Sequence, residues 1–174
     1  MWPALPPTVN NSSVELRRTE LFVRLGELGP EAVSALARGL SDAELGVRRN
    51  AALTLAVLGS RWYESGERQS RLDIESALPA LTAALRDEDG LVRSRSAQAI
   101  GEIGPAAAPA VPALIELLKN KEEGSRIGAC IALRGIGPPA NAALPVLKRA
   151  LADPSNDVRR FATNSIAAIE AGSK

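Results

Sequence analysis

Apolar side chains recur along this chain at the spacing of one helix face. Leu21, Leu25 and Leu28 fall at i, i+4 and i+7, and Val47, Ala51, Leu55 and Leu58 carry a second stripe. Val92, Ser96, Ala99, Ile100 and Ile103 form a third, with Arg95, Gln98 and Glu102 on the opposite side. Glycine-proline pairs close the segments at Gly29-Pro30, Gly104-Pro105 and Gly137-Pro138. The pattern predicts helices over 14–28, 31–40, 47–58, 73–86, 92–103, 106–119, 125–136, 141–151 and 157–169. Pro79, Pro112 and Pro145 fall at matching places in three of them. Proline inside a helix costs roughly 3 kcal/mol unless it sits in the first turn. Those helices therefore either begin at the proline or bend there.

The second half of the chain repeats itself. Arg93 answers to Arg126, Ala99 to Ala132, Ile100 to Leu133, Ile103 to Ile136, Gly104 to Gly137 and Pro105 to Pro138, each pair 33 residues apart. A fixed period of that size marks stacked repeats, each one a helix pair that buries its apolar face only against its neighbours. The step from Arg48 to Arg93 is 45 residues, so about a dozen extra residues lie at 60–72. Calling the two helices of a unit A and B, the expected fold is all-α, with about four and a half two-helix repeats over residues 14–170. Residues 1–13 read as a tail or irregular cap, and 171–174 as a tail.

A second pattern identifies the kind of repeat. An acidic residue is followed six positions later by arginine at Asp42 and Arg48, Asp87 and Arg93, and Asp153 and Arg159, with Asn120 and Arg126 as the variant. Together with the closing runs LGELGP, IGEIGP and LRGIGP, this resembles the short HEAT-like repeats, including those of phycobilin lyase subunits. The resemblance covers about residues 15–170. It implies a right-handed α-α superhelix, a HEAT-like solenoid. It also implies that Asp42, Asp87, Asn120 and Asp153 join with Arg48, Arg93, Arg126 and Arg159 in a hydrogen-bond ladder between repeats. A guanidinium fork suits a carboxylate, and an acid before a helix suits its N-terminus. A weaker rung is expected at Asn120, which lacks the charge. Ankyrin and tetratricopeptide repeats are disfavoured, since there is no histidine and aromatics make up only 3 % of the chain.

Composition narrows the function. The absence of histidine removes the usual proton shuttle, the commonest metal ligand and every Ser-His or Cys-His pair. Cys130 is the single cysteine and aligns with the small residues Ala52, Ala97 and Thr163, so it is expected to be an inert core thiol. Asp87, Glu88 and Asp89 lack the ligand alternation of a calcium loop. No cofactor or metal is expected. Net charge is +1, with ten cations against thirteen anions before residue 91 and eleven against seven after it. That gradient is too mild for a nucleic-acid stripe. The start MWPALPPTVNNSS is no secretory signal, and no run reaches about 18 apolar residues, so a soluble cytoplasmic protein is expected.

Stacked repeats leave a concave face lined by B helices. Stepping the positions of Arg95, Gln98 and Glu102 along the array gives Glu20, Val23 and Glu27, then Asn50, Leu53 and Val57. The later units supply Gly128, Ile131 and Gly135, then Phe161, Asn164 and Ala168. Leu53, Val57, Ile131 and Phe161 make this row more apolar than solvent requires. It reads as a protein-binding face, or as core if the helical phase is one residue off. Trp62 and Tyr63 in the insertion are either loop contacts for a partner or packing under their own loop. Phe161, Ile166 and Ile169 near the end suggest a longer array or self-association through the C-terminal repeat. The expectation is a non-enzymatic scaffold that binds a protein or peptide on the concave face. Its alternatives are a chromophore-lyase-like accessory subunit and, with less support, a DNA-binding HEAT-like protein.

Overall fold

The computed structural model describes residues 30–65 and 74–171, and at 30 and 61–65 the backbone alone. The tail at 1–13, the helix expected over 14–28, the positions Glu20, Val23 and Glu27, and residues 66–73 and 172–174 lie outside them. Among the described residues every regular element is helical: α1 (Pro30–Gly39), α2 (Leu45–Ser65), α3 (Leu78–Ala84), α4 (Gly90–Ile103), α5 (Val111–Leu117), α6 (Glu123–Ile136), α7 (Leu144–Ala150) and α8 (Asn156–Ala171). The odd members are the A helices and the even members the B helices.

The prolines decide where the A helices begin. Pro79, Pro112 and Pro145 each occupy the first turn of α3, α5 and α7, where a missing N–H leaves no hydrogen bond unmade. The long helices expected over 106–119 and 141–151 are consequently split. A 3-10 segment, Gly104–Ala110 or Pro138–Ala143, precedes the short α-helix in each case. Gly104 and Gly137 turn the chain with φ of 76° and 69°, a left-handed conformation that side-chain-bearing residues rarely adopt. Proline follows each and cannot continue the B helix.

The B helices begin about two residues earlier than expected, and the second one is much longer. Instead of stopping at Leu58, α2 runs to Ser65, which takes Trp62 and Tyr63 into its last turns. Much of the insertion expected as an irregular loop over 60–72 is thus an extension of that helix. No glycine-proline pair stands at Gly59-Ser60 to end it.

The core is one continuous slab. Each B helix packs on the next, α2 on α4, α4 on α6 and α6 on α8, while α3, α5 and α7 cover one side. Leu55, Leu81, Ile100, Ile103, Leu114, Leu133, Ile136, Leu147 and Ile169 are fully buried in it. Burial of each stabilises the array by about 1.5–3 kcal/mol. Small residues let the backbones approach closely. A side chain at Gly128 would press on the Ser94 backbone, one at Gly101 on Ala132, and one at Gly135 would overlap the Gly101 carbonyl. The helical run Gly90–Leu117 is long and apolar enough for a membrane span by length and composition, contrary to the reading of the sequence. It is not a single rod, because Gly104 breaks it into α4, a 3-10 segment and α5, all within the slab.

Candidate protein-binding face and repeat joints

Most of the positions read as a binding row on the B helices are exposed or half-buried. On α2, Asn50 is exposed while Leu53 and Val57 are half-buried. On α4, Arg95, Gln98 and Glu102 are half-buried, and Arg95 donates to Gln98 Oε1 at 2.9 Å. Ile131 on α6 and Phe161 on α8 are half-buried, and Asn164 is exposed. The Arg160 guanidinium lies 4.8 Å from the centre of the Phe161 ring, a cation–π contact.

Two positions transferred by period do not belong to this surface. Gly128 is buried against Ser94, and Gly135 is pressed on the Gly101 carbonyl, so both serve the contact between α4 and α6. The side chains that take their place are Ile127, half-buried, and Arg134, exposed. Leu91, 45 % exposed at the start of α4, is a further member that the period argument passed over. Stepping by the period gives no signal for Ile127, because its counterparts Ser94 and Arg160 are polar. Glu102 has Gly59 of α2 directly against it, leaving no room for a Cβ there. Burial pushes its carboxyl above the ordinary range, opposed by the charge of Arg134.

The joints between repeats are built from the Asp/Asn and Arg series. Each arginine first closes its own turn: Nη1 of Arg48, Arg93, Arg126 and Arg159 donates to the two carbonyls six and five residues back. Each Asp or Asn side chain accepts from the backbone N–H two residues on, as at Asp42, Asp87, Asn120 and Asp153. The other edge of the guanidinium reaches into the following repeat. Arg48 Nε meets Asp87 at 2.9 Å, with Nη2 on Glu88. Arg126 grips Asp153 with two bonds of 2.8 and 2.9 Å. Those bonds hold the Asp153 carboxyl below the ordinary range against its burial.

The rung expected to be weak is made by another residue. Arg93, only 6 % exposed, does not bond the Asn120 side chain. Its Nη2 meets the Glu122 carboxylate at 2.6 Å and its Nε donates to Ser125 Oγ at 3.0 Å. A side chain at Gly90 would occupy the space of that carboxylate, so Gly90 and Glu122 form a matched pair. The charge missing at Asn120 is thereby supplied two residues later.

The remaining candidates are absorbed by structure. Asp89 caps α4 by accepting from Val92 N and binds Arg49 through two bonds, chiefly the latter bringing its carboxyl down to about 2. With Asp87 and Glu88 on Arg48, the acidic run is spent on joints, and among the described residues no His/Cys/Asp/Glu cluster could hold a metal. Cys130 is fully buried, and burial pushes its thiol up to about 12, far from a thiolate at neutral pH. A cleft of about 330 Å³ lies between α3 and α5, away from the B-helix face, lined by Leu85, Ala113, Leu117 and the polar Arg86, Asp87, Arg93, Glu116 and Asn120. Trp62 and Tyr63 are in α2, but their side chains lie outside the described residues.

This geometry of stacked helix pairs with an Asp–Arg joint can be set beside known proteins. The model of the HEAT-repeat family matches residues 78–167, just over half of the chain. The chain belongs to the HEAT-repeat family. Solved structures share its all-α, superhelical repeat fold. An engineered protein matches at 24 % identity and TM-score 0.68, over 82 % of this chain and 64 % of its own. A designed armadillo repeat protein in complex with the peptide (KR)4 matches at 18 % identity and TM-score 0.67, over 93 % of this chain and 77 % of its own. The complex of CpcE and CpcF of phycocyanin lyase from Nostoc matches at 25 % identity and TM-score 0.63, over 98 % of this chain and 67 % of its own. The HEAT chain thus spans less than two thirds of the engineered protein's length. Comparison with curated proteins by sequence gives no match.

Proposed function

We propose that this HEAT-repeat protein is a non-enzymatic scaffold that takes a protein or peptide along the face of its B helices. The observation that carries this is the row Leu53, Val57, Ile131 and Phe161, aliphatic and aromatic side chains left half-buried on the B helices, with Asn50, Arg95, Gln98 and Asn164 at the neighbouring positions. The designed armadillo repeat protein, similar in fold, is solved in complex with the peptide (KR)4, which supports a peptide as one kind of partner. Trp62 and Tyr63 lie at the end of α2 and belong to the proposal as further contacts. The test is capture of partners from the native host by the wild type and by Leu53→Arg and Ile131→Arg variants. One protein bound by the wild type and lost from both variants supports the reading. Retention of every partner by both removes it.

A second reading rests on the similarity, over nearly the whole chain, to the phycocyanin lyase complex. On that reading the HEAT chain is an accessory subunit that works with a partner chain on a bilin. Incubation with a bilin and an acceptor protein checks it by absorbance, and an unchanged spectrum discards it. Duplex DNA has less in its favour, because Arg49, Arg95, Arg134 and Arg160 are the only cations on the described part of the row, and Arg49 is already bonded to Asp89. The absence of a catalytic group and a cytoplasmic location are part of the first proposal.

A further inference from the structure

We propose that the flank of α8 turned away from α6 is a two-fold interface, and that its occupant is α8 of a second copy of this chain, packed antiparallel. The 33-residue period defines this flank. On α4 the residues that meet the following repeat include Arg93, Ala97 and Gly101, with the Ser94 backbone beside them: Arg93 bonds Ser125, Ala97 lies against Gly128, and Gly101 against Ala132 and Gly135. Two periods on, the same positions of α8 hold Arg159, Thr163 and Ala167, and Gly104 becomes Glu170. Ala97 and Cys130 are fully buried, whereas Thr163, Ala167 and Glu170 are exposed. The turn beneath shows the same contrast. Leu151 is 43 % exposed where its counterparts Leu85 and Leu118 are at 3 % and 6 %. The surface is therefore made like an internal joint, and among the described residues no element covers it.

Its charges say what fits there. Arg159 closes its own turn like the other ladder arginines, with Nη1 on the carbonyls of Asp153 and Pro154. Among the described residues its Nε and Nη2 make no hydrogen bond, whereas Arg48, Arg93 and Arg126 use that edge to reach a carboxylate of the next unit. Arg160 beside it is already engaged by Asp157 and the Phe161 ring. At the other end of the stripe stands Glu170, held only by Lys148 at 3.4 Å, with both side chains more than half exposed. Arginine, two small residues and glutamate along one stripe are complementary to their own reverse. Two α8 helices running antiparallel about a two-fold axis set Arg159 against Glu170 of the other copy, and Thr163 against Ala167. Such isologous pairing satisfies both ends with one contact type. A parallel pairing opposes like charges. This surface is distinct from the row proposed to bind other proteins.

The experiment is sedimentation equilibrium on the 174-residue chain at low salt, with circular dichroism to confirm that each variant is folded. The wild type dimerises below about 100 µM. Arg159→Glu and Glu170→Arg each weaken the dimer at least tenfold, and the two together return it to within about threefold of the wild type. Orientation is read by oxidation of a mixture of Thr163→Cys and Ala167→Cys chains. A disulfide between the two different variants, and little within either alone, supports the antiparallel pair even if a charge variant fails to fold. A wild type that is monomeric at 100 µM, a double variant without rescue, or crosslinking of each variant only to itself overturns the proposal. So does a different protein found covering Arg159 and Thr163 on an otherwise monomeric chain.

Discussion

Single residues set how closely the B helices approach. Gly135 looked like a surface position when stepped from Glu102, and it is exposed, yet a Cβ there would overlap the Gly101 carbonyl oxygen. Backbone on both sides leaves nothing flexible to yield, so Gly135→Ala is expected to cost about 1–3 kcal/mol, as overpacking does. Gly124, in the same helix, has nothing within 4 Å of its would-be side chain. Gly124→Ala should therefore stabilise by about 0.4–1 kcal/mol, through the lost freedom of the unfolded chain. Urea unfolding of the two variants checks both, and equal effects would refute the close contact. Glu102 gives a test by pH. Its carboxyl is pushed up in the folded state by burial against α2, so the ionised form is the one that folding disfavours. The native state then binds the proton more tightly than the unfolded state, and stability rises as pH falls through the folded value. Glu102→Gln should raise the melting temperature at pH 7 and lose that advantage below about pH 4, where the wild-type carboxyl is itself protonated. An advantage independent of pH would place the effect in packing instead.

Between elements, the joints show which signals a sequence carries and which it does not. The arginine of each rung was legible because the same residue recurs at the same phase, and Arg48, Arg93, Arg126 and Arg159 all close their own turns alike. The acceptor was legible where it is Asp87 or Asp153, but the series gave the wrong residue at Asn120. The geometry needs a carboxylate near the guanidinium edge, not at one fixed position, and Gly90 opens the space through which Glu122 reaches it. Such a replacement couples residues 32 positions apart, 90 and 122, and no period reveals it. Likewise α2 runs past Leu58 because nothing stops it, and only the stop signal was readable. Substitution separates the two accounts of the rung. Asn120→Asp should change stability by no more than about 0.5 kcal/mol, since its side chain is committed to Glu122 N and does not reach Arg93. Glu122→Gln should cost about 1 kcal/mol, the carboxylate being half-exposed and partly screened. Asp153→Asn, which breaks a two-bond pair with both side chains near 11 % exposed, should cost about 2 kcal/mol. A gain of a kilocalorie or more from Asn120→Asp would restore the reading in which that rung is deficient.

For the whole molecule, stacking makes stability a sum over units and the joints between them, so it need not be even along the array. The period told that helices stack, and the buried stripe told which face they use. The strength of each joint comes from backbone approach and charge placement, which lie in three dimensions. The contact between α4 and α6 combines the closest backbones, Gly101 on Ala132 and Gly135 on Gly101, with the most buried ladder arginine, Arg93. It is flanked on both sides by further repeats, whereas α8 shows Thr163, Ala167 and Glu170 to solvent. Native-state hydrogen exchange should accordingly find the slowest amides around Ile100 of α4 and Leu133 of α6. In dilute protein, amides of α8 should open with a free energy lower by at least about 1.4 kcal/mol, a tenfold faster exchange. Raising the protein concentration should slow α8 selectively and leave α4 and α6 unchanged, because a partner copy protects only the flank it covers. Slow exchange in α8 at every concentration would mean that this helix needs no neighbour beyond α6 and α7. Uniform slowing along the whole array would mean that association acts on global unfolding and not on the end joint.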